Sequence, residues 1–437
     1  MAQDRRMTRR LAGLLAARRG EARLWTVRDP RKPRGKRWKQ LSVLLEAAMV
    51  GLVAGCKSTR DVENLTDEMS VAMRRLLHIP RRIPDTTLRS VLMATEPDDL
   101  RPGLYAQVRA AHRRKALVAL GLPFGQVSID GKGTAIGAWD ERFAQRQRHS
   151  SGLGASGIVR TLTATLVSGR AKACLDAAPI PSATNEMGQF QTALKELMEA
   201  YGSLSLFQLI STDAGMCSEA NARAVKKSYG LDYLMGLKED QPTLLREAER
   251  LLRWRKAEEA EAETVDVVGK TTVTRRLFTT TELAGFLSWE HLQTVVRVQS
   301  EKRDIETDKV LEQANRYFVS SLKHEALTDE QWLLVVRNHW WVENGTHQIW
   351  DTIFLEDDKP WIQAGEGAGQ GTVVVMLLRR LAFNMLALFR SVTQRSDERR
   401  QMPWKDLIRK VYNTLIAATD ADTEALRPRR TLAASVA

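Results

Sequence analysis

Cysteine is scarce in this chain: Cys56, Cys174 and Cys217 are the only three in 437 residues, widely spaced and without a CxxC pair. That pattern excludes a disulfide framework and a cysteine-built zinc site, and it fits a reducing cytoplasm. An uncharged apolar span long enough to cross a bilayer is also missing. Glu46 interrupts Leu41 to Cys56, and Arg379 and Arg380 interrupt Thr372 to Phe389. No internal repeat is present, which argues against a solenoid. Acidic residues are in deficit, 53 against 66 Lys+Arg, giving a net charge of +13 and a pI near 9.8. The imbalance favours a polyanionic partner without separating nucleic acid from an anionic membrane surface.

What is present, 43% apolar and 27% charged residues, is the composition of a soluble globular protein, and the length allows two or three domains. The opening MAQDRRMTRRLAGLLAARRG is Arg-rich and amphipathic like a transit peptide. It has no small-residue cleavage signal and reads as a basic helix of the mature protein. RDPRKPRGKRWK (28–39) cannot bury enough surface to fold alone, so residues 1–40 are expected to be a basic arm or linker, gripping phosphate or merely solvated. Residues 41–118 read as a helical domain, with helices over 41–55, 60–65, 71–77 and 86–93, able to place a helix in a DNA groove.

From Gly125 to Leu237 strands and helices alternate. A strand ends at Asp130, a Gly/Ser-rich loop covers 150–157, and β-patterned runs follow at 158–167 and 171–177. A helix over 185–201, a strand closing at Asp213, a helix over 218–229 and a strand at 233–237 complete the run. Three strands in succession followed by alternation predict a mixed sheet, with a first core part over 119–240. Residues 241–321 read as a β-rich insertion ending in a return strand at Tyr317, Phe318 and Val319, and 322–395 as the second core part. Within it, 372–390 is an apolar helix expected to pack on the sheet with Arg379 and Arg380 outward; a further helix over 404–417 and a frayed tail over 427–437 fill 396–437.

Three carboxylates stand out. Asp130 precedes Gly131-Lys132-Gly133 and Asp213 precedes Ala214-Gly215, both at expected strand ends. Glu343 lies at the edge of an apolar helical stripe formed by Trp332, Val335, Val336, His339, Val342, Thr346, Ile349 and Ile353. Such a set can hold two divalent hard cations, which suit displacement at phosphorus. Each also has an ordinary reading: Asp before Gly favours turns, and a helical Glu is usually solvated. His339 and His347, four residues either side of Glu343, would complete a zinc-type cluster, although oxygen ligands for Mg²⁺ or Mn²⁺ suit phosphoryl chemistry better. Asn185 and Glu186 either support the site or cap a helix. Lys132, Lys238, His339 and His347 are the candidate DNA contacts, and Trp340 and Trp341 either stack on a base or pack in the core.

The segments IDGKG (129–133), PSATNEM (181–187), STDAGMCSEA (211–220), GLKEDQPTL (236–244), RYFVSSL (316–322), RNHWWVENGTHQIWDTIFLEDD (337–358) and LRRLAFNML (378–386) occur in this order. In that order they resemble bacterial insertion-sequence transposases of the DDE type, in the branch known as H-repeat-associated proteins, over roughly 38–390. The resemblance implies an α/β fold: a ribonuclease-H-like mixed-sheet core with a β-rich insertion, preceded by a helical N-terminal domain. It implies Asp130, Asp213 and Glu343 as a catalytic triad holding two Mg²⁺ (or Mn²⁺) ions. Water would first cut a phosphodiester at the element's end, and the freed 3′-OH would then join target DNA, with no covalent protein–DNA link. Double-stranded DNA, a homodimer on DNA and a nucleoid-associated location in a bacterial cytoplasm follow as expectations. Two departures from the family pattern are visible. Gly133-Thr134-Ala135-Ile136 replaces the usual text after the first aspartate, and Val336, His339 and Trp350 occupy places where related families carry Tyr, Arg and Lys. A transposase-derived DNA-binding protein that no longer cuts, and a metal-dependent nuclease, are the alternatives.

Overall fold

The computed structural model describes residues 2–32, 38, 40–148, 155–394 and 396–426. Most of the arm over 33–39, the glycine-rich loop at 149–154 and the tail at 427–437 lie outside the described residues.

In chain order the regular elements begin with helices α1 (Ala2–Glu21), α2 (Leu41–Val53), α3 (Thr59–Glu68), α4 (Val71–Leu77), α5 (Asp85–Ala94) and α6 (Arg101–Arg113). Strands β1 (Gln126–Ile136), β2 (Ala144–Arg148), β3 (Ala155–Leu166) and β4 (Cys174–Ile180) follow, then α7 (Glu186–Tyr201), β5 (Leu209–Thr212), α8 (Glu219–Arg223), β6 (Asp232–Leu237) and α9 (Pro242–Leu252). Four long strands come next, β7 (Ala262–Val268), β8 (Thr271–Thr280), β9 (Thr294–Asp304) and β10 (Val310–Ser320). The chain continues through α10 (Asp329–Trp341), α11 (Gln348–Thr352), α12 (Ala368–Leu388), α13 (Asp397–Arg400), α14 (Trp404–Ala417) and α15 (Asp420–Thr423). These elements form two compact units: one from the stretch up to Ala110, Thr134–Val159 and Ile349 onward, the other from Ala111–Gly133 and Arg160–Gln348.

The first unit is mainly helical. Ser58 and Ser70 start α3 and α4 by accepting the N–H groups of Asp61 and Met73, satisfying donors a helix N-terminus otherwise leaves bare. α1 forms the basic helix read from the sequence, and Leu11, Ala12, Leu14 and Leu15 are buried where it packs on α4, α14 and α15. α12 is apolar on nearly every side, which marks an interior helix. By length and composition Ala368–Thr393 could cross a membrane, yet all of its apolar window is buried within the protein. It packs chiefly on α2 and α5 rather than on the sheet. Arg379 and Arg380, expected to face outward, are fully buried, because Glu356 supplies their counter-charge: Arg380 forks onto both its oxygens at 2.7 Å and Arg379 lies 3.8 Å away. In this unit β2 pairs with residues 155–159 of β3, a strand that periodicity did not reveal.

The second unit holds an open mixed sheet in the order β4-β3-β1-β5-β6-β10-β9-β8-β7. β1, β5 and β6 are parallel, and β10, β9, β8 and β7 continue antiparallel. The return strand is as expected, with Phe318 opposite Gly236 of β6. A helical N-terminal region followed by this mixed sheet and its surrounding helices is an α/β architecture consistent with a ribonuclease-H-like fold bearing insertions. On one sheet face, Trp332, Leu333, Val335 and Val336 of α10 join Leu209, Leu234, Val296 and Phe318 in a single apolar cluster. Burying each large side chain contributes about 1.5–3 kcal/mol, so the face of α10 is strongly fixed.

Candidate functional site: a carboxylate cluster at the parallel strands

The polar side chains along one face of β1 set the site. Residues at i, i+2 and i+4 of a strand share a face, and here they are Gln126, Ser128 and Asp130. Gln126 donates its amide to the Val335 carbonyl at 2.8 Å and to Ser211 Oγ at 3.1 Å. Ser128 Oγ meets His339 Nδ1 at 3.1 Å, and Asp130 Oδ2 lies 3.5 Å from His347 Nδ1. Successive turns of the α10 segment are thus pinned to successive inward positions of β1, and Glu343 is carried between the two histidines.

Asp130 does not close its strand, which runs on to Ile136. The pairing with β5, however, stops at Ile129↔Thr212. Asp130 and Asp213 are therefore the next residues on two adjacent parallel strands, whose usual spacing is about 4.8 Å. Asp213 stands at the N-cap position of a short 3-10 turn, Ala214–Met216, without a side-chain capping bond. A Cβ on Gly236 of β6 would sit 3.0 Å from the Ala214 nitrogen, so a side chain there would push that turn away from β6 by a few tenths of an ångström. Glu343 sits in a π-helical turn, Val342–His347, rather than in regular helix. Such turns recur at functional sites. The turn also moves the buried stripe on by one residue: Trp350 and Phe354 are buried, where the regular pattern predicts Ile349 and Ile353.

A fourth carboxylate joins them. Asn185 caps α7 by accepting the Gly188 N–H at 2.9 Å, which leaves Glu186 at its first turn with its carboxyl directly over Gly131. Burial, followed by the like charges of Asp213, Glu343 and Glu186, pushes the Asp130 carboxyl up to about 8 against a hydrogen bond from the Gly131 N–H. Asp213, Glu343 and Glu186 are also raised, each chiefly by burial. Lys238 opposes the shift at Asp213 and Glu343, and Arg316 opposes it at Glu343. Asp213 Oδ1 is buried without a hydrogen-bond partner. Asp130 is buried, Asp213 and Glu186 are half-buried and Glu343 is exposed; neighbouring oxygens of one charge sign, one of them buried and unpaired, are what a hard cation would satisfy. All the candidate ligands are oxygens, so Mg²⁺ or Mn²⁺ fits the donor set better than a soft metal.

Asp213, Lys238, Glu343 and Arg316 line one cleft of about 630 Å³. Of the remaining candidate contacts, Lys132 is buried in β1 and has a partner within the fold. His339 is buried on Ser128, its basicity pushed down to about 4 by desolvation, so it is neutral at physiological pH. His347 is buried too. Thr163 gives its single hydroxyl proton to the Asp130 carbonyl at 2.9 Å, so its oxygen accepts from His347 Nε2 at 3.1 Å and leaves Nδ1 facing the carboxyl. Both histidines therefore serve the fold of the site. Trp340 is half-buried beneath Arg316 at 4.4 Å; Trp341 is exposed, with Lys172 at 5.3 Å. Arg316 carries no signal of its own role in the sequence beyond the RYFVSSL segment.

Among the described residues, one His/Asp/Glu group has all its ligand atoms within 4.8 Å of one another, and it lies elsewhere: Glu261, His324 and Asp329. This group could coordinate a metal ion, and no spacing in the sequence announces it. Its Glu261 already accepts from Arg255 at 2.9 Å and from Thr279 Oγ1 at 2.6 Å. The oxygens of Asp130, Asp213 and Glu343 do not all come within 4.8 Å of one another.

With this geometry in view, the comparisons with known proteins point to one class. A family model described as DDE_Tnp_1-associated matches residues 22–106, most of the N-terminal helical region. The chain is distantly related to the H-repeat, transposase-like proteins of Escherichia coli. It is 28% identical over 183 residues to "H repeat-associated putative transposase YhhI" of strain K12, covering 40% of this chain and 47% of that protein. It is 24% identical over 335 residues to "Putative protein YbfL" of the same strain, covering 74% of this chain and 80% of that protein. The first match thus spans about half the relative's length.

Proposed function

We propose that the chain is a DNA transposase that cuts the ends of its own element and joins the freed 3′-OH to target DNA. The observation that supports this reading is that Asp130 and Asp213 follow the last paired residues of two adjacent parallel strands, near enough to each other and to Glu343 for their like charges to raise the Asp130 carboxyl, with Asp213 Oδ1 buried and without a hydrogen-bond partner. Asp130, Asp213 and Glu343 would hold two Mg²⁺ or Mn²⁺ ions, whose chemistry is to activate the attacking oxygen and neutralise charge at phosphorus. The chain's own residues do the rest. His347 and Thr163 hold Asp130 in place, Gln126 and Ser128 fix the height of the α10 segment, and Lys238 adds positive charge at the rim. In-line displacement at phosphorus asks for positioning and charge, and no residue need bond covalently to DNA. The net charge of +13 supplies the long-range attraction to double-stranded DNA. Two ends must be brought together, so a homodimer on DNA is part of the proposal, as is a cytoplasmic, nucleoid-associated location.

The test is nicking of a supercoiled plasmid carrying the DNA that flanks the coding region, with and without Mg²⁺. D130A and E343A are expected to bind that DNA like the parent and to lose cutting by roughly 10³-fold or more; cutting that survives either change refutes the assignment. The spacing of the three carboxylates, not all within 4.8 Å of one another, is the observation that favours the second reading, a transposase-derived DNA-binding protein. That reading predicts binding with no Mg²⁺-dependent nicking by the parent chain. Nicking without joining to a second duplex would instead indicate a nuclease.

A further inference from the structure

We propose that Arg316 of β10 grips a DNA phosphate in the cleft beside the carboxylate cluster. This rests on the reading that DNA is the substrate. Three observations support it independently of any titration. The first is position: β10 pairs antiparallel with β6 at Tyr317↔Leu237, so the next residues along, Arg316 and Lys238, stand at the same edge of the sheet, and both line the cleft with Asp213 and Glu343. The second is fixation: the guanidinium lies 4.4 Å from the centre of the Trp340 ring, so the planar fork is held over an aromatic face rather than left to wander.

The third is lack of commitment. The other arginines of the neighbouring strands are spent within the fold: Arg275 on Asp266, Arg276 on Glu263 and Arg303 on Glu301, at 2.5, 2.6 and 2.7 Å. Arg297 donates to the carbonyls of Arg253 and Arg255. Arg316 shares a cleft with four carboxylates, those of Asp213, Glu239, Glu249 and Glu343, yet among the described residues it forms no ion pair and donates no hydrogen bond. Its five N–H donors remain available, and a phosphodiester offers two non-bridging oxygens that match the fork. The cleft's volume of about 630 Å³ falls in the range of sites that enclose a ligand group. Val336 and His339 of the neighbouring segment are buried on the sheet and bring no positive charge to the cleft.

The experiment measures binding of the full chain to a fluorescein-labelled duplex from the DNA flanking its coding region, without divalent metal, across about 50–200 mM salt. Each phosphate contact contributes close to one unit to the slope of log K against log salt. R316Q is expected to lower that slope by about one unit, and R316K, which keeps the charge, to leave it near the parent value. An R316Q slope equal to the parent's overturns the proposal. If R316Q lowers the unfolding midpoint, R316M, which keeps the apolar stem on Trp340, replaces it with the same two outcomes. Because no cutting is needed, a reduced slope in a chain that never nicks DNA upholds the phosphate contact while the transposase reading falls.

Discussion

Glu356 is the residue whose loss the fold of the first unit should feel most. It is fully buried, as are Arg379 and Arg380 on α12. Arg380 makes both charge-assisted bonds at 2.7 Å and lies 3.4 Å from the centre of the Trp350 ring, while Arg379 turns one nitrogen to the Lys359 carbonyl at 2.8 Å. Burial already pushes Arg379 down to about 10, held from falling further by Glu356. E356Q keeps the volume and one acceptor but removes the nearest counter-charge of two buried guanidinium groups, leaving Asp357 and Asp351 as the remaining acids that act on Arg379. Removing one partner of a buried ion pair costs about 3–5 kcal/mol. For a unit of this size that amounts to a fall of roughly 6–20 °C in the unfolding midpoint. Thermal and urea unfolding followed by tryptophan fluorescence would measure it, with E356M/R380M as the control in which the bidentate pair is removed together. A loss below about 1 kcal/mol for E356Q would refute the reasoning, since an exposed pair would cost no more.

The other expectations concern the carboxylate cluster. The Asp130 carboxyl is raised from 3.8 to about 8 in the folded chain, so the folded state holds that proton more tightly than the unfolded one. Its stabilising contribution is complete below about pH 4 and is lost as the pH rises towards 8, at up to about 1.4 kcal/mol per unit. The metal-free protein should therefore melt lower at pH 8 than at pH 5, and D130N should flatten that part of the profile; an unchanged profile in D130N contradicts the assignment. G236A would press a methyl on the backbone of Ala214 at 3.0 Å. It is expected to cost about 1–3 kcal/mol in urea unfolding and to weaken Mn²⁺ binding by disturbing the Asp213 turn. G131A meets only the movable end of Glu186, so it should shift that carboxyl with a stability change under about 1 kcal/mol, checked in the same titration.

Much of the core was legible because its signals are local. Short runs with β-branched residues closed by Asp mark β1 and β5, a short apolar run after Gly230 marks β6, and Ser or Asn caps mark α3, α4 and α7. The misreadings arose where a distant residue decides. Gly131 and Gly133 look like strand breakers, yet β1 continues through them, with Glu186 lying over the bare Cα of Gly131. Arg379 and Arg380 read as exposed because Glu356, which neutralises them, is outside their helix. The π turn at Val342–His347 changes the helical period by one residue, which no fixed 3.6-residue pattern can anticipate. Arg316 and Lys238 meet only through antiparallel pairing of strands separated by the whole insertion. Glu261, His324 and Asp329 are likewise brought together by the fold alone.

The most direct measurement is the stoichiometry and affinity of Mn²⁺ bound to the full chain, read by electron paramagnetic resonance for the parent, D213N, E343Q and D329N. If Asp130, Asp213 and Glu343 are the metal ligands, D213N and E343Q should each weaken binding by roughly 10-fold or more while D329N binds like the parent. Unchanged binding in D213N and E343Q, with loss in D329N, would move the metal to Glu261, His324 and Asp329 and contradict the proposed centre.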